Sequence, residues 1–212
     1  MHFHKTVQLK NGQTCVLRHA EAADAEAFLE YFLVCHGETD YLTTYPDETE
    51  HAPEKVAARL AAGAESAADI EILAVVDGKL AGSAGIGLLR DRDKTRHRAE
   101  FGISVLRDYW GLGIGRALTA ACIDCAEEAG YLQLELEAVS ENAAALHLYE
   151  KYGFVEYGRN PRGFRNRAGK WQELVLMRLE LPRDGGTKRA ADFSACQGKE
   201  CRLTAEVRDD RY

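Results

Sequence analysis

Phe101-Gly102-Ile103-Ser104-Val105, continued through Trp110-Gly111-Leu112-Gly113-Ile114-Gly115 to Arg116, reads as an apolar strand that passes through a glycine turn into a helix. Three glycines at the mouth of a helix build an anion site. They let the backbone approach a ligand closely, and the unpaired N–H groups and positive dipole end of the helix favour phosphate oxygens. The stretch therefore points to a pyrophosphate-bearing ligand, with a plain strand-to-helix turn as the alternative. A dinucleotide fingerprint spaces its glycines G-x-G-x-x-G, whereas these fall as G-x-G-x-G; Glu135 or Glu137, about 20 residues on, keeps a ribose-binding acid available. A Walker A loop needs Lys and Ser/Thr after its last glycine, and here Arg116 and Ala117 follow.

Downstream, Leu134 to Phe154 places Asn142, Ala145, Leu148, Tyr149, Gly153 and Phe154 in the pattern N-x-x-A-x-x-L-Y-x-x-x-G-F. Read with the glycine turn, the chain resembles the GNAT acetyltransferase superfamily, in which a Q/R-x-x-G-x-G/A turn binds the pyrophosphate of acetyl-CoA. Glu38-Thr39-Asp40-Tyr41-Leu42, Arg96-His97-Arg98-Ala99-Glu100 and Gly169-Lys170-Trp171, with Met177 beyond, look like a bacterial branch of uncharacterised or amino-acid-acting members. The resemblance runs from about Lys5 to Leu181. One residue departs from it. The Gln or Arg that precedes the turn in the family is Trp110 here, so the backbone cradle is kept and Arg116 becomes the candidate to supply the missing charge.

The resemblance implies an α/β (α+β) GNAT fold: a central mixed, mostly antiparallel sheet with a splayed strand pair and flanking helices. It implies acetyl-CoA as co-substrate, no metal, and direct transfer in a ternary complex. By the same resemblance Ile103 and Val105 on the splayed strand contact the cofactor. Gly111, Gly113, Ile114, Gly115 and Arg116 receive its phosphates, and Asn142 touches the CoA arm. Asn142 is equally suited to cap a helix.

Composition agrees with one enzyme domain. The chain has 212 residues, 46% of them hydrophobic, and a formal net charge of −7. That balance argues against sequence-independent nucleic-acid binding, which needs basic surface to displace counterions. No apolar run is long enough to span a bilayer, and nothing after Met1-His2-Phe3-His4-Lys5 resembles a signal peptide, so a cytoplasmic location without a membrane partner is expected. The six cysteines lack the regular spacing of a secreted scaffold. Cys122 and Cys125 fall on an apolar helix stripe with Leu118, Ala121 and Ala129 and read as core thiols; the alternative joins them to Cys196 and Cys201 in a zinc site.

Hydrophobic spacing predicts a hairpin from Thr6–Leu9 and Thr14–Arg18 around Asn11-Gly12. It predicts helices over Ala20–Cys35, with Ala27, Phe28, Tyr31 and Val34 inward, and over Pro53–Ala62. A second hairpin, Ile70–Val76 with Leu80–Leu88, turns at Asp77-Gly78. Then follow a strand at Ala99–Val105, a helix from Arg116 to near Gly130 and a strand at Leu132–Val139. A helix from about Asn142 to Tyr152, capped by Gly153, and strands at Val155–Tyr157 and Trp171–Leu181 complete the domain. Residues 1–181 read as the acetyltransferase domain and 182–212 as a polar, flexible tail.

The chemistry of amine acetylation needs a neutral amine, a stabilised oxyanion and a proton for the departing thiolate. Backbone N–H groups at the end of the 99–105 strand are oxyanion donors. Tyr149, protonated at neutral pH, is the candidate acid, against a packing role in the helix. A lysine-like amine is ammonium at neutral pH, and Glu100 is the candidate base, against a plain exposed strand glutamate, with His97 in reserve. The basic run Arg159, Arg162, Arg165, Arg167 and Lys170 reads as a loop that borders the acceptor, contacts the CoA phosphate, or is merely solvated. Small-molecule or peptide amines are the expected acceptors, a homodimer the default assembly. The rivals are a non-catalytic CoA-binding module and a nicotinamide oxidoreductase.

Overall fold

The computed structural model describes residues 3–181; Cys196, Cys201 and the 182–212 tail lie outside them. β1 (His4–Gln8) and β2 (Thr14–His19) form the expected hairpin, and β3 (Ile70–Val76) and β4 (Lys79–Leu88) the second. They are followed by β5 (Arg98–Val105), β6 (Gln133–Val139), β7 (Val155–Arg165) and β8 (Trp171–Glu180). All eight strands join one sheet in the order β1-β2-β3-β4-β5-β6-β8-β7, antiparallel except between β5 and β6. The mixed, mostly antiparallel sheet expected from the sequence is thus present.

The helices are α1 (Ala25–Gly37), α2 (Pro53–Glu65), α3 (Ile114–Glu128) and α4 (Ala143–Lys151). Alternation along the strands sorts them between the two faces. Ile72, Ala74, Ala84, Ile86 and Phe101 join α3 and Tyr149 of α4 in the main core. Leu73, of opposite parity, packs with Phe28 of α1 and Leu60 of α2 in a second cluster. The buried side of α1 runs through Phe28, Leu29, Tyr31 and Cys35, so Ala27 and Val34 of the predicted face are exposed, Val34 by 48%. A stripe centred on Phe28, Tyr31 and Cys35 turns both of them away from the sheet. Cys122 and Cys125 are fully buried in α3 as expected; burial pushes both thiols up, that of Cys125 to about 11.

The seam between β5 and β6 positions the site. It is parallel and spans three pairs: Arg98 with Gln133, Ala99 with Leu134 and Glu100 with Glu135. Beyond Glu100 the strands part. On the other side β5 remains paired with β4 along its length, down to Val105 opposite Gly82. Leu106 N–H donates to Ala81 (3.0 Å) and Leu89 N–H to Arg98 (3.2 Å), so the even-numbered residues of β5 turn their backbone groups to β4. Leu132 N–H donates to His97 (2.9 Å), so the odd-numbered ones face β6. Past the seam, the Phe101 carbonyl and both backbone groups of Ile103 consequently point into the widening gap.

At the far edge the sequence expectation is revised. β7 runs on to Arg165, so Arg159, Arg162 and Arg165 belong to a strand, and only residues 166–170 form the turn to β8. Pro161 is tolerated there because β7 is an edge strand whose register shifts between Asn160 and Phe164.

Candidate active site

The glycine turn leaves β5 through a short 3-10 segment, Arg107–Tyr109, and enters α3 two residues earlier than the spacing suggested. Gly113 is the N-cap, at φ 104°, a left-handed conformation that side-chain-bearing residues rarely adopt. Helical bonding begins with Ala117 N–H to the Gly113 carbonyl (3.1 Å), so the amides of Ile114, Gly115 and Arg116 precede it and form the donor set of the helix mouth. The Ile114 side chain itself is buried in the core. Gly115 lies inside the helix, where a Cβ would stand 3.4 Å from Leu148 of α4; this is where the two sequence motifs meet. Arg116 is exposed and makes no ion pair among the described residues, while its carbonyl accepts the Tyr152 hydroxyl (2.8 Å).

Trp110 accounts for the departure from the family turn. Its indole N–H donates to the Val105 carbonyl (2.6 Å), which holds the side chain against the end of β5. Val105 therefore has its carbonyl on the Trp110 indole and its N–H on the Cys35 sulfur, whereas Ile103 turns both backbone groups towards the gap. This narrows the contact expected of Val105.

Tyr149 is buried in α4, its ring edge-on to Phe101 of β5 (6.1 Å between centroids, 87°) and 5.8 Å from Phe154. Burial pushes its phenol well above the ordinary value, so the proton is held throughout the physiological range. Gly153 N–H to Glu150 (3.0 Å) and Phe154 N–H to Tyr149 (3.1 Å) close α4 with paired bonds of the Schellman kind. At the other end, the Asn142 side chain accepts Ala145 N–H (3.2 Å), a helix cap.

Glu100 lies on the opposite face of β5, exposed, with Gly102 and Ser104. The structure thus brings Tyr149 and Glu100 to the same strand from its two sides and not side by side. Ser104 is held by the Tyr31 hydroxyl (2.8 Å to its carbonyl, 2.6 Å to its Oγ). Glu135 is engaged by Arg98 (2.7 Å between Nη2 and Oε2) and by Tyr157, which removes it as a ribose-binding acid. His97 sits at the closed end of the seam, on the side away from the opening.

A cavity of about 440 Å³ borders the open end of the gap. Among its lining residues are Glu38, Asp40, Arg107, Trp110, Glu141 and Lys170. Of the basic run, only Lys170 lines it. Arg159 pairs with Glu156 and Glu173 (both 2.7 Å), Arg162 and Arg165 lie over the Trp171 ring (5.5 Å), and Arg167 pairs with Asp47 (2.5 Å) over the Tyr45 ring. On the chain neither Arg107 nor Glu38 carries a role of its own: Glu38 opens one of the stretches that carry the family resemblance and Arg107 lies just before the glycine turn, but the cavity is assembled from segments far apart in the chain. Among the described residues no group of three or more His, Cys, Asp or Glu could hold a metal ion, and no helix is long and apolar enough to cross a membrane.

Residues 26–154 match the model of the acetyltransferase (GNAT) family. The chain is 31% identical over 168 residues, 78% of its length and 93% of the relative's, to the L-amino acid N-acyltransferase MnaT of Escherichia coli (strain K12). It is 48% identical over 81 residues, 38% of its length and 54% of the relative's, to the E. coli (strain K12) ribosomal protein bS18-alanine N-acetyltransferase. Its fold superposes on the crystal structure of a GNAT-family acetyltransferase from Streptococcus pneumoniae with a TM-score of 0.76 and 31% identity, covering 79% of this chain and 99% of that one. Glycine turn, divided strands, buried helix tyrosine and family match agree: the chain belongs to the acetyltransferase (GNAT) family and is an N-acetyltransferase.

Proposed function

We propose that this enzyme acetylates a primary amine of an amino acid or short peptide by direct transfer, with the pantetheine arm of acetyl-CoA between β5 and β6 and its pyrophosphate at the mouth of α3. The observation that carries the reading is the parting of β5 from β6 beyond Glu100, with the backbone of Ile103 turned into the gap. The named activities of the two relatives, one acting on L-amino acids and one on a ribosomal-protein alanine, support both acceptor types. A cytoplasmic setting fits such substrates.

In this reading the amides of Ile114, Gly115 and Arg116, the Arg116 guanidinium and the Gly111–Gly113 backbone bind phosphate. Asn142 borders the CoA arm while it caps α4. The acceptor amine enters from the cavity side and loses its proton towards Glu100, directly or through water. The N–H of Ile103 stands fixed before negative charge develops on the thioester oxygen, the condition under which a donor stabilises a transition state most. Tyr149, kept protonated by burial, gives its proton to the departing sulfur.

The test is thiol release from acetyl-CoA with amino acids, amino-acid amides, polyamines and short peptides as acceptors, with the product identified by mass spectrometry. Amine-dependent release with an N-acetylated product supports the reading. Saturable acetyl-CoA binding with no release for any amine would favour the binding-module alternative.

A further inference from the structure

Amine acetylation by itself does not require the acceptor to carry a second charged group, yet the cavity beside the gap is strongly charged. Two cations line it, Arg107 and Lys170, and their surroundings differ. Lys170 is already paired with Glu141 (3.2 Å). Arg107 donates through Nη2 to the Glu38 carbonyl and lies 5.7 Å from the Trp110 ring; among the described residues its guanidinium pairs with no carboxylate. The Glu38 carboxylate instead accepts the backbone N–H of Arg107 (2.8 Å). The bond to the Glu38 carbonyl uses one of the two Nη2 N–H groups, and the second, with the N–H of either Nε or Nη1 beside it, leaves one planar edge that matches a carboxylate in bidentate fashion.

Its place in the chain makes this cation significant. Arg107 follows Val105 by two residues, and the indole beside it holds the Val105 carbonyl at the end of the splayed strand. The Glu38 and Asp40 carboxylates line the same cavity. A guanidinium and a pair of acids around one cavity suit a molecule that carries a carboxylate close to its amine.

We propose that Arg107 binds the α-carboxylate of the acceptor, so that the enzyme selects free amino acids over amino-acid amides and over N-terminal residues of peptides. This rests on the reading above that the cavity takes the acceptor; it goes beyond it by naming the group recognised and the residue that recognises it.

The experiment measures steady-state kinetics of wild type, Arg107→Gln and Arg107→Lys with free alanine, leucine, phenylalanine and glutamate, with their carboxamides, and with alanyl-alanine. Wild type should prefer the free acid to its amide by about 10- to 100-fold in kcat/KM, the range set by one charge-assisted pair. Arg107→Gln should erase that preference by raising the KM of the free acids, with the KM of the amides and of acetyl-CoA unchanged. Arg107→Lys should recover part of it. A purely structural role for Arg107 in holding the Glu38 loop would harm acids and amides alike, and that result overturns the proposal. Wild type that uses amides or alanyl-alanine as well as free acids also overturns it, while leaving the acetyltransferase reading in place. Loss of acetyl-CoA binding together with all thiol release would instead strike at that underlying reading.

Discussion

Replacing Tyr149 by Phe separates chemistry from architecture, because the two roles of this side chain lie in different atoms. The ring packs against Phe101 and Phe154, contacts that phenylalanine keeps. The hydroxyl makes no hydrogen bond to another described residue, so its removal should change stability by less than about 1 kcal/mol. If the phenol protonates the departing thiolate, kcat should fall by about 100- to 10,000-fold, or roughly 3–5 kcal/mol of transition-state stabilisation, with the KM values for both substrates little changed. Thiol release read by a chromogenic disulfide, together with a thermal melt of each protein, measures both quantities. The pH dependence adds a second check. Burial raises the phenol pKa above its ordinary value near 10, so Tyr149 should impose no alkaline loss of kcat below about pH 10. The neutral phenol also contributes stability that is complete below that pH and is lost as pH rises through the folded value, so the variant should show a shallower alkaline decline. A kcat within threefold of wild type, at equal stability, would refute the assignment of Tyr149 as the acid.

Three further outcomes are expected. Gly113→Ala should destabilise the protein by about 1–2 kcal/mol, since a Cβ there meets no neighbour and the cost is that of holding φ at 104°; the KM for acetyl-CoA should rise as the turn distorts, as read by melting and kinetics. Glu135→Gln breaks the ion pair with Arg98, whose side chains are 10% and 33% exposed; partial solvation of the arginine lowers the expected cost to about 1–3 kcal/mol in urea denaturation. Hydrogen bonding from Arg18 holds the Asp24 carboxyl below its ordinary 3.8. The stability this contributes is full above that value and lost as pH falls through the lower folded one, so wild type and Arg18→Gln should differ at neutral pH and converge in acid unfolding below about pH 3.8.

Most of the scaffold is legible because its signals are local. Asn11-Gly12 and Asp77-Gly78 mark two turns by their own backbone preferences, and Gly153 ends α4 by bonds that span only six residues. The stripe of α1 is less so, because Cys35 contributes to the buried side as fully as the larger apolar residues. The glycine turn is readable as an anion site, yet its spacing alone cannot show that Gly115 serves contact with Leu148 while Gly113 serves φ. Least legible is the acceptor side. Arg159 and Arg167 stand in a basic run on the chain, but their partners are Glu173 and Asp47, brought to them by folding. Arg107 carries no motif of its own; its meaning comes from Glu38, 69 residues earlier, and from the indole of Trp110.

The three residue pairs between β5 and β6 also divide the molecule mechanically. On one side of that stitch lies a meander of five antiparallel strands, on the other a three-stranded ribbon, and the ladder joining them is shorter than any other in the sheet. Pulled apart across the sheet, the protein should yield first at this line, with the packing of Tyr149 and Phe154 on Phe101 as its main reinforcement. A molecule lying along the open stretch of β5 and bonded to both arms would act as a splint, and resistance to shear would then report its presence without any chemistry taking place.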